Sequence, residues 1–322
     1  MKIVTFLDLE SPHREPRVGI VRDDHVVDLR AAGLEAAADA VALIGASGAL
    51  EAAARLVDTA PAAHRILLDK VRFLAPMRPS TILCSGSNYR DHNAEKIGAP
   101  TSGKEPEFFV KTADCVVGPD EAIVYDSKLT QKLDCETELA IVIGKPGRHI
   151  PVDAALDYVF GYTIVNDVTA RDRQVRRSPE GLTWYDLGRG KVFDASAPLG
   201  PAIVTADDVG DPQALRLQTR INGELRQSAS TADMIWSCAE LIHIFSANLT
   251  LRPGMVIITG TPAGTAWSTD ASLGGKWREQ PGLVPASRYC EPGDVVECEI
   301  ENIGVLRNRV VDGSVGAAVA AG

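Results

Sequence analysis

Three carboxylates in or beside apolar runs could together hold a metal ion. Glu136 and Glu138 lie just before the apolar run 139–144. If this segment is a strand, the two side chains point to the same face, because residues two apart on a strand do so. Neighbouring carboxylates repel each other unless a cation lies between them; without one, the pair would be a solvated acidic surface. Asp167 follows the apolar run 161–166, where a buried charge needs a specific partner. This all-oxygen donor set favours Mg²⁺, with Mn²⁺ and Ca²⁺ as alternatives.

A second polar segment could supply acid–base chemistry. His92 and Glu95 are three residues apart, so on a helix they are neighbours. A carboxylate beside an imidazole fixes its tautomer and raises its basicity, as a general base requires. Taken alone, this spacing in a polar stretch is more typical of a surface pair.

Several other polar residues have both a functional and an ordinary interpretation. The segment 171–177 holds four arginines, which could bind an anionic group or form a solvated charged loop. Lys191 would be a surface lysine on composition alone. Thr261 lies in a turn after an apolar run, where hydroxyl and backbone N–H groups could face a ligand or simply make the turn.

The composition restricts the classes of partner. The 322 residues carry a net charge of −10, which would repel a nucleic-acid backbone, so we expect no nucleic-acid partner. No apolar run approaches the roughly 20 residues that a membrane-spanning helix needs, so we expect no membrane partner. The first residues lack a signal-peptide pattern, and the 6 cysteines lack C-x-x-C spacing. These features are typical of a cytoplasmic protein with reduced thiols.

The elements that must position these groups are mostly strands. Continuous apolar runs predict buried strands at 139–144, 161–166 and 255–260. Asn222-Gly223 predicts a hairpin over 215–227, and a second hairpin is predicted over 295–311 with its turn at 302–304.

One convincing helix is predicted in the same part of the chain. Apolar residues recur at helical spacing over about 234–248, and Thr231 and Asp233 are candidate caps. His243 lies within this helix, and we expect it to be structural.

The first 75 residues have a different pattern from the rest. Short β-type runs are predicted at 2–7, 17–21 and 25–29, followed by alanine-rich helices at about 34–44 and 49–58. Pro76 and Pro79 then interrupt regular structure. We therefore predict an α+β, mostly β protein with a small α/β N-terminal domain over 1–75 and a larger domain over 76–322.

Eight segments with recognisable motifs follow one another along residues 80–311. In chain order they are GSNYRDHNAE, EFFVK, DCETELAIVIGK, GYTIVNDVTARDRQ, GKVFDASAPLGP, INGELRQ, ITGTPAG and PGDVVECEIENIGVLRN. The first resembles G-x-N-Y-x-x-H-x-x-E and the third resembles D-x-E-x-E-L-x-x-V-I-G-K, which are patterns of the fumarylacetoacetate hydrolase family. Single segments are weakly specific, but eight in the right order identify the chain as a member.

The resemblance implies a fold and a role for each candidate residue. The expected fold is a rolled mixed β-sheet catalytic domain, commonly assembled as a homodimer. The implied metal ligands are Glu136, Glu138 and Asp167, and the implied acid–base pair is His92 and Glu95, on a segment that orders over substrate in relatives. The implied pocket residues are Arg171, Gln174, Thr261 and Lys191, and we expect Lys191 to act in catalysis by stabilising negative charge.

The resemblance also implies a reaction class. We expect a Mg²⁺-dependent enzyme that acts on 2-oxo acids through a metal-stabilised enolate, with hydrolytic C–C cleavage of an acylpyruvate-type diacid as the first hypothesis. Isomerisation or decarboxylation of a 2-hydroxy-dienoic diacid in aromatic-compound catabolism is the alternative. A catalytically idle metal-binding protein is the second alternative.

Two departures from the family pattern leave the substrate open. Cys135 stands where an aromatic or aliphatic residue is common, and the stretch 267–289 is longer than the usual loop. Arg176 and Arg177 favour a second carboxylate on the substrate.

Overall fold

The computed structural model describes residues 1–96 and 105–313. Strands dominate this part of the chain. In chain order they are β1 (Lys2–Asp8), β2 (Arg17–Arg22), β3 (His25–Asp28), β4 (Arg65–Leu67), β5 (Val71–Leu74), β6 (Ile82–Gly86), β7 (Glu107–Lys111), β8 (Val116–Val117), β9 (Ala122–Tyr125), β10 (Leu133–Asp134), β11 (Thr137–Ile143), β12 (Val159–Asn166), β13 (Thr169–Ala170), β14 (Val175–Arg177), β15 (Thr183–Tyr185), β16 (Ala197–Thr205), β17 (Arg216–Ile221), β18 (Glu224–Ser230), β19 (Val256–Ile258), β20 (Val295–Ile300) and β21 (Gly304–Asp312).

The α-helices of the described residues are fewer and mostly short. They are α1 (Ala40–Gly45), α2 (Ala49–Thr59), α3 (Arg90–Ala94), α4 (Arg171–Gln174), α5 (Leu187–Lys191), α6 (Ala206–Val209) and α7 (Cys238–Asn248). None of the helices in these ranges is long and apolar enough to cross a membrane. The mostly β, mixed-sheet prediction is confirmed.

Twelve strands form one large mixed sheet. Ten of them follow the order β4-β3-β2-β1-β16-β12-β11-β19-β6-β7, with β5 beside β1 and β8 beside β16. The β11–β12 ladder sets up the site, because it pairs Thr137 with Asn166. Glu136 directly precedes Thr137, and Asp167 directly follows Asn166. Because the two strands are antiparallel, both acidic residues lie at the same end of the ladder.

A second sheet of five strands contains both predicted hairpins. Its order is β18-β17-β20-β21-β9. The β17–β18 hairpin turns at Asn222-Gly223 and the β20–β21 hairpin turns at residues 301–303. Positive φ values of 54° at Asn222 and 81° at Gly223 explain why this dipeptide stands at the turn.

Helix α7 begins later than predicted, at Cys238 rather than near residue 234. Ser237 caps it, because its hydroxyl accepts from Glu240 N while the Glu240 carboxylate accepts from Ser237 N, a capping box. The expected caps Thr231 and Asp233 instead form a separate 3₁₀ turn. His243 has a structural contact, with Nδ1 2.7 Å from Ile150 O.

Alternate residues of β11 enter two different cores. Leu139 and Ile141 pack in the core that also contains α7 residues, whereas Ala140 and Val142 pack in a second core with side chains from α1 and α2. Glu138 lies on the same face of the strand as Ala140 and Val142. The acidic residues thus lie on the face away from α7.

The N-terminal strands continue the large sheet. Lys2 and Ile3 of β1 pair with Val204 and Ile203 of β16. The predicted early strands are present, α2 matches the second predicted helix, and the first divides into a 3₁₀ turn (Glu35–Ala38) and α1. The domain boundary at residue 75 stays a prediction.

Candidate active site

The three predicted metal ligands lie together. Carboxylate oxygens of Glu136, Glu138 and Asp167 are all within 4.8 Å of one another, and each residue is at most 3% exposed. Two hydrogen bonds hold the first and third residues side by side. Asn166 Oδ1 accepts from Glu136 N, and Asp167 N donates to Glu136 O, both at 2.9 Å.

Glu138 is held from the neighbouring strand. Gly260 N donates to Glu138 Oε2 at 2.7 Å. Gly260 has φ +90°, and a Cβ there would lie 2.8 Å from Asn88 Cβ, so the residue must be glycine. Burial raises the pKa of Glu138 well above its usual value, and the charges of Asp167 and Glu136 raise it further.

Two lysines contact the carboxylates of the triad. Lys191 Nζ lies 2.6 Å from Glu136 Oε2 and 2.5 Å from Asp167 Oδ2. Lys111 Nζ lies 3.0 Å from Asp167 Oδ1 and donates to Ser196 O at 2.8 Å. Lys111 is fully buried, but the sequence interpretation gave it no role, because only its place in the EFFVK segment set it apart.

The Arg171 side chain links three other residues of the site. Its Nε donates to Asp134 Oδ2 at 2.8 Å, Nη1 donates to Gln174 Oε1 at 3.0 Å, and Nη2 donates to Glu136 Oε1. Asp134 in turn accepts from the backbone N of Ala266 at 2.9 Å. The guanidinium is therefore occupied by protein carboxylates, which the sequence interpretation did not anticipate.

The predicted acid–base pair is buried rather than on the surface. His92 is 7% and Glu95 0% exposed, and His92 Nδ1 lies 3.1 Å from Glu95 Oε2. Gly264 N donates to Glu95 Oε1 at 3.0 Å. His92 lies on α3 and Glu95 directly follows that helix. Because Nδ1 faces the carboxylate, Nε2 is the nitrogen left to exchange a proton with a ligand.

The long stretch 267–289 completes the wall behind this pair. The Trp267 ring packs edge-on to His92, with centroids 5.9 Å apart, and the Arg171 guanidinium lies over the same ring at 5.8 Å. Lys276 N donates to Glu95 O at 2.8 Å, and Arg278 Nε to Ala94 O at 2.7 Å. Trp267 was missed as a site residue, although it begins the stretch that departs from the family pattern.

One cavity unites the candidate residues. Its lining residues include His92, Glu136, Glu138, Asp167, Arg171, Gln174, Lys191, Thr261 and Trp267. Glu95 lies behind His92, and Thr261 Oγ1 donates to Thr137 O at 3.1 Å. Arg176 and Arg177 are exposed on β14 and do not line this cavity, so the expectation that they meet the substrate is not supported.

The chain belongs to the fumarylacetoacetate hydrolase family. The family profile described as fumarylacetoacetate (FAA) hydrolase C-terminal matches residues 81–311. That range contains all the site residues named above.

Curated relatives that are similar in sequence to this chain include oxaloacetate tautomerases. The chain is 43% identical over 244 residues to the human mitochondrial oxaloacetate tautomerase FAHD2A, covering 75% of this chain and 70% of that protein. It is 40% identical over 245 residues to the oxaloacetate tautomerase YisK of Bacillus subtilis (strain 168), covering 76% and 74%.

Solved structures with the same fold include enzymes of two reaction types. One is a maleylpyruvate hydrolase from Sphingobium sp. SYK-6 in complex with manganese(II) and pyruvate, with TM-score 0.73, 28% identity and coverage of 97% and 100%. Another is a 2-hydroxyhepta-2,4-diene-1,7-dioate isomerase from Mycobacterium marinum, with TM-score 0.69, 29% identity and coverage of 97% and 99%.

Proposed function

We propose that this protein is a divalent-metal-dependent enzyme that interconverts the keto and enol forms of a 2-oxo diacid such as oxaloacetate. The observation that carries the proposal is the meeting of a carboxylate triad and a buried His92–Glu95 pair in one cavity. The named activity of relatives more than 40% identical supports tautomerisation rather than hydrolysis as the first choice.

The triad fits a hard divalent cation. Its donors are carboxylate oxygens. Burial, and then the charges of Asp167 and Glu136, raise the pKa of Glu138, and a bound cation would relieve the charge repulsion. Buried acids around the site outnumber the buried cations when all are ionised: Glu95, Asp134, Glu136, Glu138 and Asp167 against Lys96, Lys111, Arg171 and Lys191. A dication would offset this excess of negative charge. Magnesium is our first choice, and manganese is present in the hydrolase structure.

Glu136, Glu138 and Asp167 would hold this ion, which when bound would polarise the substrate oxygens and offset negative charge as it develops. His92, oriented by Glu95, would remove a proton from the carbon next to the keto group. The electron pair of the broken C–H bond would then form the C=C bond while the C=O electrons move to oxygen, and the protonated His92 would give its proton to that oxygen, which yields the enol and restores the base. The Lys191 ammonium would stabilise that oxygen's negative charge, while Arg171, Gln174 and Thr261 shape the pocket.

Hydrolytic C–C cleavage is the second candidate, favoured by the fold shared with a maleylpyruvate hydrolase. His92 would then deprotonate a water that attacks the distal carbonyl of a diketo acid. The C–C bond breaks, its electrons remain on the pyruvate fragment as an enolate, and the other fragment leaves as a carboxylic acid.

One set of assays separates these reactions. Enzyme with Mg²⁺ or Mn²⁺ is given enol-oxaloacetate, and the loss of enol absorbance is followed together with the release of pyruvate and CO₂. We expect faster loss of the enol without pyruvate, and no acceleration in excess chelator. Release of pyruvate and CO₂ would instead indicate a decarboxylase. Acylpyruvates and unsaturated diacids are assayed in the same way, and pyruvate released from acylpyruvates would indicate a hydrolase. No turnover of any of these compounds would indicate an idle protein.

We also propose a cytoplasmic homodimer. Exposed apolar side chains on the edge strand β7, Phe108 and Val110, support a subunit contact. Light scattering during gel filtration should give twice the chain mass of 34.3 kDa. Recovery at the monomer mass would contradict the dimer, and recovery in a membrane or organelle fraction would contradict the location.

A further inference from the structure

Lys96 is a buried cation of the cavity that the proposed chemistry does not use. It directly follows Glu95, lines the same cavity as the carboxylate triad, and has a side chain only 8% exposed. Among the described residues, its ammonium donates to the Ser87 hydroxyl and lies 5.7 Å from the centre of the Tyr185 ring. Both of those residues also line the cavity.

Its pairing with protein carboxylates is weaker than that of the neighbouring cations. Lys96 Nζ is 3.9 Å from Glu107 Oε1, which is beyond hydrogen-bond distance. Lys111, Arg171 and Lys191 each have a nitrogen within 3.0 Å of a buried carboxylate. Within the described part of the chain, no carboxylate therefore lies within hydrogen-bond distance of this ammonium. A buried ammonium that is not closely paired is unfavourable, and binding an anion would stabilise it.

We propose that Lys96, with the hydroxyl of Ser87, binds the second carboxylate of a 2-oxo diacid and so selects diacids over monoacids. The inference rests on the proposed function, since it presumes that the triad end of the cavity receives the 2-oxo acid group. It assigns diacid recognition to a residue next to the acid–base pair instead of to the exposed Arg176 and Arg177.

The position of Lys96 also couples recognition to catalysis. Lys96 forms a β-bridge with Gly275, and Lys276 N donates to Glu95 O. Because Lys96 directly follows Glu95, a carboxylate bound to its ammonium would be held by the same chain segment that carries His92 and Glu95. A diacid has its reactive carbon between its two acid groups, so fixing the far group orients the C–H bond toward a base in the same cavity.

The test compares oxaloacetate with its 4-ethyl ester, which keeps the 2-oxo acid end and lacks the second charge. The wild-type enzyme should have a kcat/KM at least about tenfold higher for the diacid, since hydrogen bonds to charged groups contribute this much. Lys96→Met should reduce that preference by about 10- to 100-fold, mainly through KM for the diacid, and Lys96→Arg should retain most of it.

Lys70→Met is the matched control, because it removes the same charge from an exposed lysine paired with Glu10, and it should keep the wild-type preference. An equal decrease of kcat/KM for the diacid and the ester in Lys96→Met would overturn the inference. Equal kcat/KM values of the wild-type enzyme for the two compounds would also overturn it. The wild-type comparison holds even if Lys96→Met does not fold. Failure of the wild type to turn over either compound would instead reject the proposed function.

Discussion

His92 Nδ1 and Glu95 Oε2 lie 3.1 Å apart in a pair from which solvent is almost excluded. The second oxygen of Glu95 is held by Gly264 N at 3.0 Å, so the carboxylate cannot turn away from the imidazole without losing that bond. Among the described residues, no hydrogen bond joins this pair to the carboxylates of the triad. We therefore expect that acid–base chemistry can be removed while metal binding is largely kept.

Replacing His92 should abolish turnover and leave metal binding nearly intact. In His92→Ala we expect kcat to fall by about 10²- to 10⁴-fold, the range typical for a positioned acid or base. Glu95→Gln should give a smaller decrease, because the imidazole stays but loses its charged partner. Steady-state rates and Mn²⁺ binding measured on the same preparations test this, and lost metal binding in His92→Ala would contradict the division of roles.

Glu138→Gln should stabilise the metal-free protein. Burial and the neighbouring charges raise the pKa of Glu138 when folded, so the unfolded state gives up this proton at lower pH than the folded state does. Glu138 therefore lowers the free energy of unfolding. This loss of stability is absent below the pKa of Glu138 in the unfolded state and grows as the pH rises above it. Removing the acid should thus raise the melting temperature in chelator at pH 7, with little change near pH 4.

The same variant should respond less to added metal. Wild-type protein should gain melting temperature with Mg²⁺ or Mn²⁺, since a ligand that binds only the folded state stabilises it. The gain should be small or absent in Glu138→Gln. A metal-free melting temperature below that of wild type would show that the Glu138 carboxylate is not under the repulsion described above.

Much of the candidate metal site could be predicted from the sequence, because patterns of a few neighbouring residues place its carboxylates. Strand alternation places Glu136 and Glu138 on one face, and the apolar run before Asp167 places it at the end of a buried strand. The two hairpins followed from the Asn222-Gly223 dipeptide and from the turn near residue 302. These patterns act over a few residues, so they are visible without a fold.

The remaining contacts depend on parts of the chain that are distant in sequence. The ammonium of Lys111 is held by Asp167 and Ser196, and apart from its place in the EFFVK segment no local pattern predicts these contacts. Arg171 lines the cavity, but its guanidinium is also bound by Asp134 and Glu136, which lie more than 30 residues earlier in the chain. The start of α7 was misplaced because the apolar spacing continues through Ile235, before the capping box at Ser237.

Asp134→Asn should destabilise the protein. Asp134 is 1% exposed and balances the buried Arg171, while also accepting from Ala266 N and Trp267 N. Removing one member of a buried ion pair costs about 3–5 kcal/mol, which chemical denaturation would measure. Asp208→Asn is the matched control, because Asp208 forms an exposed pair with the N-terminus and such pairs contribute about 0–1 kcal/mol. Equal small effects of the two variants would contradict this view of Arg171.

The native cysteines should resist thiol reagents. All 6 are free and buried, and burial raises the pKa values of Cys238 and Cys298 to about 12. The thiolate is the reactive form, so a disulfide-exchange reagent at pH 8 should label the folded protein slowly. Denaturant should release 6 reactive thiols. Fast labelling of any thiol in the native protein would show that its surroundings are open to solvent.

Calorimetric titration of chelator-treated protein with Mn²⁺ or Mg²⁺ tests the metal triad most directly, with Glu138→Gln titrated in parallel. We expect one ion bound per chain in the wild type and strongly weakened uptake in the variant. No detectable uptake of either ion by folded wild-type protein would contradict the assignment of Glu136, Glu138 and Asp167 as metal ligands.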